Sequence, residues 1–390
     1  MKTIKDLNLD NKTVIIRCDF NVPIKDGKIV DDTRIKGALE TINYCLDKNC
    51  KIILMSHLGR VKEASDLEKN DLSPVAKRLS ELLNKDILFS EKTRGEELET
   101  IINNMNFKDI LLIQNTRYED LDGKKESSND PELGEYWASL GDVFINDAFG
   151  TAHRAHASNV GIATHLPSAV GFLIEKELKV LSELDNPPHP YVVMLGGAKV
   201  SDKIGVIENL VKKADFVLIG GGMAFTFLKS LNYNIGKSLL DEENIDFCRN
   251  IMKEYGSKIV LPIDFAVTNE YTNDEDYRQK LITEFSDNEM GLDIGDKTIE
   301  LFESILKDAQ VIMWNGPLGV YEFDKYKKGT DVLLKFLIDN NIKTILGGGD
   351  IVAASEEAGL KDKVYHASTG GGATLEYLEG KELPGIKVIK

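Results

Sequence analysis

Arginine is scarce in this chain and unevenly placed. Of 48 basic residues nine are arginine, and seven of these are Arg17, Arg34, Arg60, Arg78, Arg94, Arg117 and Arg154. A guanidinium is a planar fork that grips phosphate or carboxylate with two bonds at once, which an ammonium cannot do. Arg34, His57, Arg60, Arg117 and Arg154 lie on or just beyond the ends of short apolar runs, or in the loops between them. Asp19 and Asn21 lie in another such loop. If those loops share one sheet edge, the cations converge and would hold one or two negative groups, with Asp19 and Asn21 taking hydroxyl hydrogen bonds. Taken singly, each residue reads more readily as a surface ion pair or a cap. Their number at strand ends favours a site.

The second half carries a different chemistry. Its apolar runs end in glycine: Gly196-Gly197, Gly220 to Gly222, Gly316 after Asn315 and before Pro317, and Gly347 to Gly349, with Gly370 to Gly372 further on. Glycine lets backbone N–H groups come close to phosphate oxygens. Lys199 and Lys203 follow Gly197-Ala198 four residues apart, and would share a helix face if a helix has begun there. Asp350 follows Gly349 and either caps a helix or ligates Mg²⁺ carried by a nucleotide. No general base stands out. A carboxylate attacking a phosphoryl group needs none, because it is already ionised at pH 7. Catalysis then reduces to positioning and charge stabilisation. No Walker A pattern, GxGxxG turn or HExxH is present.

These residues need elements to place them. Apolar, β-branched runs occupy residues 13–18, 51–55, 86–89, 109–113 and 142–145, then 191–195, 216–219, 258–261, 310–314 and 343–346. Helix-like segments separate them. Such alternation predicts α/β architecture, with parallel sheets covered on both faces and ligands beyond the strands' carboxyl ends. At 390 residues the chain is long enough for two such domains. Residues 168–184 read as one connecting helix, roughly 25 Å long, stopped by a Pro-rich segment at 186–190.

Composition bounds the partners. Net charge is −16, from 48 basic against 64 acidic residues, which disfavours nucleic acid and acidic membranes and requires any anion site to be a local cluster. No apolar run approaches the roughly 20 residues that span a bilayer. The first eleven residues are polar and lack the apolar stretch of a signal peptide. The four cysteines form no CxxC pair. A reduced, cytoplasmic location is expected.

Several long segments then match one family in order and spacing: RCDFNVP (17–23), DTRI (32–35), SHLGR (56–60), NDAFGTAHRAHAS (146–158), LGGAKVSDKI (195–204), IGGGMAFTFL (219–228), WNGPLGV (314–320) and STGGGATLE (368–376). Together they closely resemble the motifs of phosphoglycerate kinases across nearly the whole chain. The resemblance implies two Rossmann-like, doubly wound parallel-sheet domains joined by a helix. It divides the chain into 1–167, the helix 168–184 and 185–375, with a tail, 376–390, packing back on the first domain. It implies reversible, in-line phosphoryl transfer, after hinge closure, between 1,3-bisphosphoglycerate with ADP and 3-phosphoglycerate with ATP, and a monomer using Mg²⁺ with its nucleotide.

Residue by residue, the resemblance assigns Asp19, Asn21, Arg34, His57, Arg60, Arg117 and Arg154 to 3-phosphoglycerate. Lys199 would bridge the transferring group and Lys203 would touch nucleotide phosphate. Gly197, Ala198, Gly221, Gly222, Gly291, Asn315 and Pro317 would wall the nucleotide cleft, and Glu322 would bind ribose. Gly348, Gly349 and Asp350 would form the phosphate and Mg²⁺ loop. Gly371 and Gly372, with Arg34 and Lys199, would take up developing charge. Ile351 departs from the family pattern of Ser or Thr, which implies a lost hydroxyl contact to phosphate or a lost cap. Two other readings compete. A two-domain dehydrogenase would require the absent GxGxxG turn, and a non-catalytic nucleotide-binding protein would be favoured by loss of Lys199, Arg34 or Asp350, all of which are present.

Overall fold

The computed structural model describes residues 1–273 and 277–390. The chain divides into two compact units, one comprising Met1–Lys179 with Glu382–Lys390 and the other Val180–Lys381.

The first unit is built on a six-stranded sheet in the order Leu88–Ser90, Ile110–Ile113, Lys51–Met55, Thr13–Arg17, Val143–Asn146, Ser168–Val170. Every pairing in it is parallel. The strands read as unbroken apolar runs because both faces are covered. Val14, Ile16, Ile52, Leu54, Ile110 and Leu112 join one core. Ile15, Ile53, Leu111 and Phe144 join the other, with Trp137. That split is the period-two alternation of a strand. Thr13–Arg17 pairs with Lys51–Met55 on one side and with Val143–Asn146 on the other. The strand order therefore reverses beside Arg17, and the crevice for a ligand opens there.

The second unit repeats the plan. Its parallel sheet runs Ile259–Val260, Phe216–Ile219, Tyr191–Leu195, Val311–Asn315, Thr344–Leu346, His366–Ala367. The reversal falls between Tyr191–Leu195 and Val311–Asn315, whose ends are tied by Gly196 N–H to Asn315 O at 2.9 Å and Gly197 N–H to Pro317 O at 3.0 Å. An antiparallel sheet of Arg278–Leu281, Asp264–Thr268 and Met290–Ile294 is added to this unit.

Three expectations are corrected. Residues 168–184 are not one helix: Ser168–Val170 is an edge strand and the helix is Phe172–Ser182, about 16 Å long. The strand wins because Val170 N–H bonds Lys2 O at 3.0 Å and Gly171 N–H bonds Asn146 O at 2.9 Å. Asp147 then supplies the helix start, its Oδ1 accepting from Leu173 N–H at 2.9 Å. The division between units falls within this helix, after Lys179. At the other end, only 382–390 joins the first unit, through Asn146 Nδ2–H to Gly385 O at 2.9 Å. Residues 376–381 stay with the second unit, where Leu378 O accepts from Asn209 Nδ2 at 2.7 Å.

Candidate functional site

In the first unit the loops after the strands do bring cations together. Arg17 ends its strand fully buried, donating from Nε to Ser158 Oγ at 2.7 Å. Its Nη2 lies 3.3 Å from His57 Nδ1. Arginine can only donate, so Nδ1 is the acceptor and the imidazole proton sits on Nε2. Burial drives His57 well below its ordinary pKa; Asp19 opposes this, while Arg17, Arg117 and Arg34 reinforce it. His57 is thus a neutral donor at physiological pH. Arg34 Nη1 meets Asp19 Oδ2 at 2.7 Å. Burial pushes the Asp19 carboxyl upward, but Arg34, His57 and Arg17 outweigh it and hold it below the ordinary range.

Arg117 is nearly enclosed, and its Nε has no hydrogen-bond partner. Burial lowers its pKa, Asp120 resists, and Arg17 and Arg154 lower it further. Arg154 is exposed and donates from Nε to His153 Nε2 at 3.1 Å. His156 is pushed down to about 3, first by burial and then by Arg17, Arg117 and Arg154. The depression of His57, Arg117 and His156 by Arg17, Arg34, Arg117 and Arg154 marks one field of excess positive charge, which is what an anion needs from a chain of net charge −16. Asn21 Oδ1 is used by the fold, accepting from Gly59 N–H at 2.8 Å. Arg60 follows that turn and is exposed.

In the second unit a cavity of about 500 Å³ opens at the strand-order reversal. Gly197, Ala198, Gly221, Gly222, Gly291 and Pro317 line it, as do Glu322 and Asp350. Glycine is required at 221, where φ is +65° and a Cβ would stand 2.7 Å from Gly197 backbone atoms. Its apolar walls include Phe225, Leu239 and Phe265, which sequence reasoning did not single out. The signal for Phe225 was the helix Met223–Ser230, apolar nearly all round directly after three glycines.

Lys203 and Lys199 do not share a helix face. The helix begins at Ile204, so both precede it. Lys203 turns inward onto Asn315 Oδ1, and Lys199 is exposed. Burial brings Lys203 down to about 8, against the opposing pull of Asp350 and Asp202. Asn315 also donates to Gly347 O. Gly348, at φ +105°, caps the helix Gly349–Glu357, whose first N–H groups have no intrahelical acceptor. Gly371, at φ +51°, precedes the short helix Gly372–Leu378 in the same way.

Ile351 differs from expectation. Its side chain is fully buried in the apolar cluster containing Ile312, Trp314 and Leu346. A hydroxyl at this position would enter the core, so the absence of Ser or Thr removes no side-chain contact to a ligand in the cavity. Only its backbone N–H, in the first helical turn, remains available.

Among the described residues no group of three or more His, Cys, Asp or Glu could hold a metal ion. Asp350 is an exposed carboxylate on the cavity, close enough to Lys203 to raise its pKa. That donor set fits Mg²⁺ only as nucleotides carry it, with phosphates and water completing the shell.

Two doubly wound α/β units, one with a cation cluster and one with a glycine-lined cavity, define a two-domain kinase without a P-loop. A profile of the family described as phosphoglycerate kinase matches residues 4–381. The chain belongs to the phosphoglycerate kinase family, kinases with a carboxyl acceptor whose role is phosphoryl transfer in glycolysis. It is 55% identical over 391 residues to the phosphoglycerate kinase of Enterococcus faecalis, covering 100% of this chain and 98% of that one. It is likewise 55% identical over 390 residues to that of Listeria innocua, with the same coverage. The phosphoglycerate kinase structure from Coxiella burnetii superposes with a TM-score of 0.89 at 38% identity, covering 99% of this chain and 98% of that one. That from Pyrococcus horikoshii gives 0.85 at 31% identity, covering 100% and 98%.

Proposed function

We propose that the two units divide the reaction between them. The first holds 3-phosphoglycerate or 1,3-bisphosphoglycerate on Arg34, His57, Arg60, Arg117 and Arg154, with Asp19 and Asn21 ordering the loops and meeting hydroxyls. The second holds ADP or ATP in the cavity, its base between the apolar walls, its ribose at Glu322 and its phosphates toward Lys203 and Gly348 to Asp350. Lys199, exposed on the glycine turn, is free to follow the transferring group, and the N–H groups at Gly371 and Gly372 take up developing charge. Asp350 would hold Mg²⁺ with the nucleotide, and that ion's contribution is to neutralise phosphate charge. The single observation behind this reading is that one unit carries an excess positive field and the other a cavity of nucleotide size.

In-line transfer needs reacting atoms about 3–3.5 Å apart. Ligands held by separate units reach that distance through hinge closure, with the helix Phe172–Ser182 joining the units. The setting we propose is cytoplasmic and monomeric: one chain carries both sets of groups, and all four cysteines are free. Calorimetry on variants tests the division. Arg34→Ala and Arg154→Ala should each weaken 3-phosphoglycerate binding by about 1.5–3 kcal/mol and leave MgATP binding unchanged. Equal loss of MgATP binding would contradict the assignment.

A further inference from the structure

Beneath the cation cluster lies a carboxylate that the proposed chemistry leaves unused. Glu126 is fully buried, as is Arg17. It lies between the turn Thr116–Asp120, which carries Arg117, and the helix Pro131–Ala138. One residue occupies both its oxygens. Ser158 Oγ–H donates to Oε1 at 2.5 Å, and Ser158 N–H donates to Oε2 at 2.9 Å. Ser158 Oγ in turn accepts from Arg17 Nε at 2.7 Å. Arg17 Nη2 stands 3.9 Å from Oε1, and His156 Nδ1 3.8 Å from it. The backbone adds a further tie, Ala157 N–H to Glu126 O at 3.0 Å. Asn159 Nδ2–H, bonded to Arg154 O at 2.9 Å, carries the fastening back to Arg154 itself.

A buried ion pair is a poor source of stability, because desolvation costs about what the attraction returns. Its value lies in geometry. Ser158 presents two donors, and only a carboxylate presents two acceptors; glutamine would set an N–H₂ against one of them. The same carboxylate is the buried ion-pair partner of Arg17, whose Nη2 faces His57, with Asp19 adding a second negative charge nearby. The segment that bears Arg154 and the guanidinium that orients His57 are thus fixed to one point.

We infer that Glu126 is a positioning residue for phosphoryl transfer: through Ser158 and Arg17 it sets where Arg154 and His57 stand, and so governs affinity for the triose acid without touching it. The inference rests on the assignment of the first unit's cluster to that ligand. Losing the carboxylate uncouples two groups that must meet one small molecule together, so the cost falls on 3-phosphoglycerate and not on the nucleotide.

The test is a calorimetric titration of 3-phosphoglycerate and of MgADP into Glu126→Gln, Ser158→Ala, Arg154→Ala and a core control in the same unit, Leu98→Ala, with Tm measured for each. Glu126→Gln should raise the 3-phosphoglycerate Kd by about 10- to 100-fold, and Ser158→Ala by about 3- to 10-fold, with MgADP unchanged. In turnover, KM for 3-phosphoglycerate should rise while kcat at saturation stays within about twofold. Leu98→Ala should lose stability and keep its affinity. Ser158→Ala leaves both charges in place, so it decides the matter if Glu126→Gln does not fold. The inference is overturned if Ser158→Ala and any folded Glu126→Gln bind 3-phosphoglycerate like the parent, or if Leu98→Ala loses as much affinity. Should Arg154→Ala lose binding while these two do not, only the role of Glu126 falls. Should Arg154→Ala also bind normally, the assignment of the cluster falls and takes the inference with it.

Discussion

Lys203 makes nucleotide binding depend on pH in a way that can be worked out in advance. Its ammonium is largely enclosed, held against Asn315, with a pKa of about 8. Nucleotide phosphate arriving beside it favours the charged form and returns the pKa to the ordinary lysine value or above. Between pH 7.5 and 9.5 the free protein gives up that proton and must recover it to bind. Linkage then weakens MgADP binding by about 25-fold over this range, close to 2 kcal/mol. At pH 9 binding should take up about 0.9 proton, measurable by calorimetry in buffers of different ionisation enthalpy. Lys203→Met should bind more weakly at pH 7.5 and show neither effect. For folding the sign is opposite. The folded pKa lies below the unfolded one, so the penalty is full below about pH 8 and is relieved as pH rises toward the ordinary lysine value, where this residue returns about 3 kcal/mol. Affinity independent of pH above 7.5, with no proton uptake at pH 9, would refute the reasoning.

Ile351→Thr should destabilise by about 1–3 kcal/mol in denaturant titration, because it buries a hydroxyl in an apolar cluster, and should leave MgATP affinity unchanged. Tighter nucleotide binding would show that the side chain does reach phosphate. Gly291→Val should weaken MgADP binding at least about tenfold, because a side chain there runs into the Phe225 ring on the cavity wall, and 3-phosphoglycerate binding should be spared. Small-angle scattering should show the largest fall in radius of gyration when 3-phosphoglycerate and a non-reactive MgATP analogue are bound together. An unchanged radius with both sites saturated would remove the hinge.

Each of the ten apolar runs read from the sequence overlaps a strand, and the central ones, buried on both faces, leave an unbroken signature that polar flanks cannot disguise. The edge strands Ser168–Val170 and His366–Ala367 were missed, being short and set by a neighbour's backbone more than by their own side chains. The antiparallel sheet around Asp264–Thr268 was missed for a related reason: Arg278–Leu281 is half exposed and polar. At the candidate site the arginines and glycines stood out by their number at strand ends, where any one alone reads as an ion pair, a cap or a turn. The inward turn of Lys203 was not, since it depends on Asn315, more than a hundred residues away. Glu126 lay in an unremarked polar stretch, and its partners appear only when Ser158 is folded onto it. At Ile351 the local motif does not show which way the side chain faces, since its burial depends on Ile312, Trp314 and Leu346.

The most direct measurement is a coupled assay with 3-phosphoglycerate and MgATP, in which glyceraldehyde-3-phosphate dehydrogenase consumes the 1,3-bisphosphoglycerate formed, run beside Lys199→Ala. The account predicts Mg²⁺-dependent turnover in the parent chain, falling sharply in the variant while both ligands still bind. Turnover no greater than that of Lys199→Ala, with both ligands bound, would contradict it.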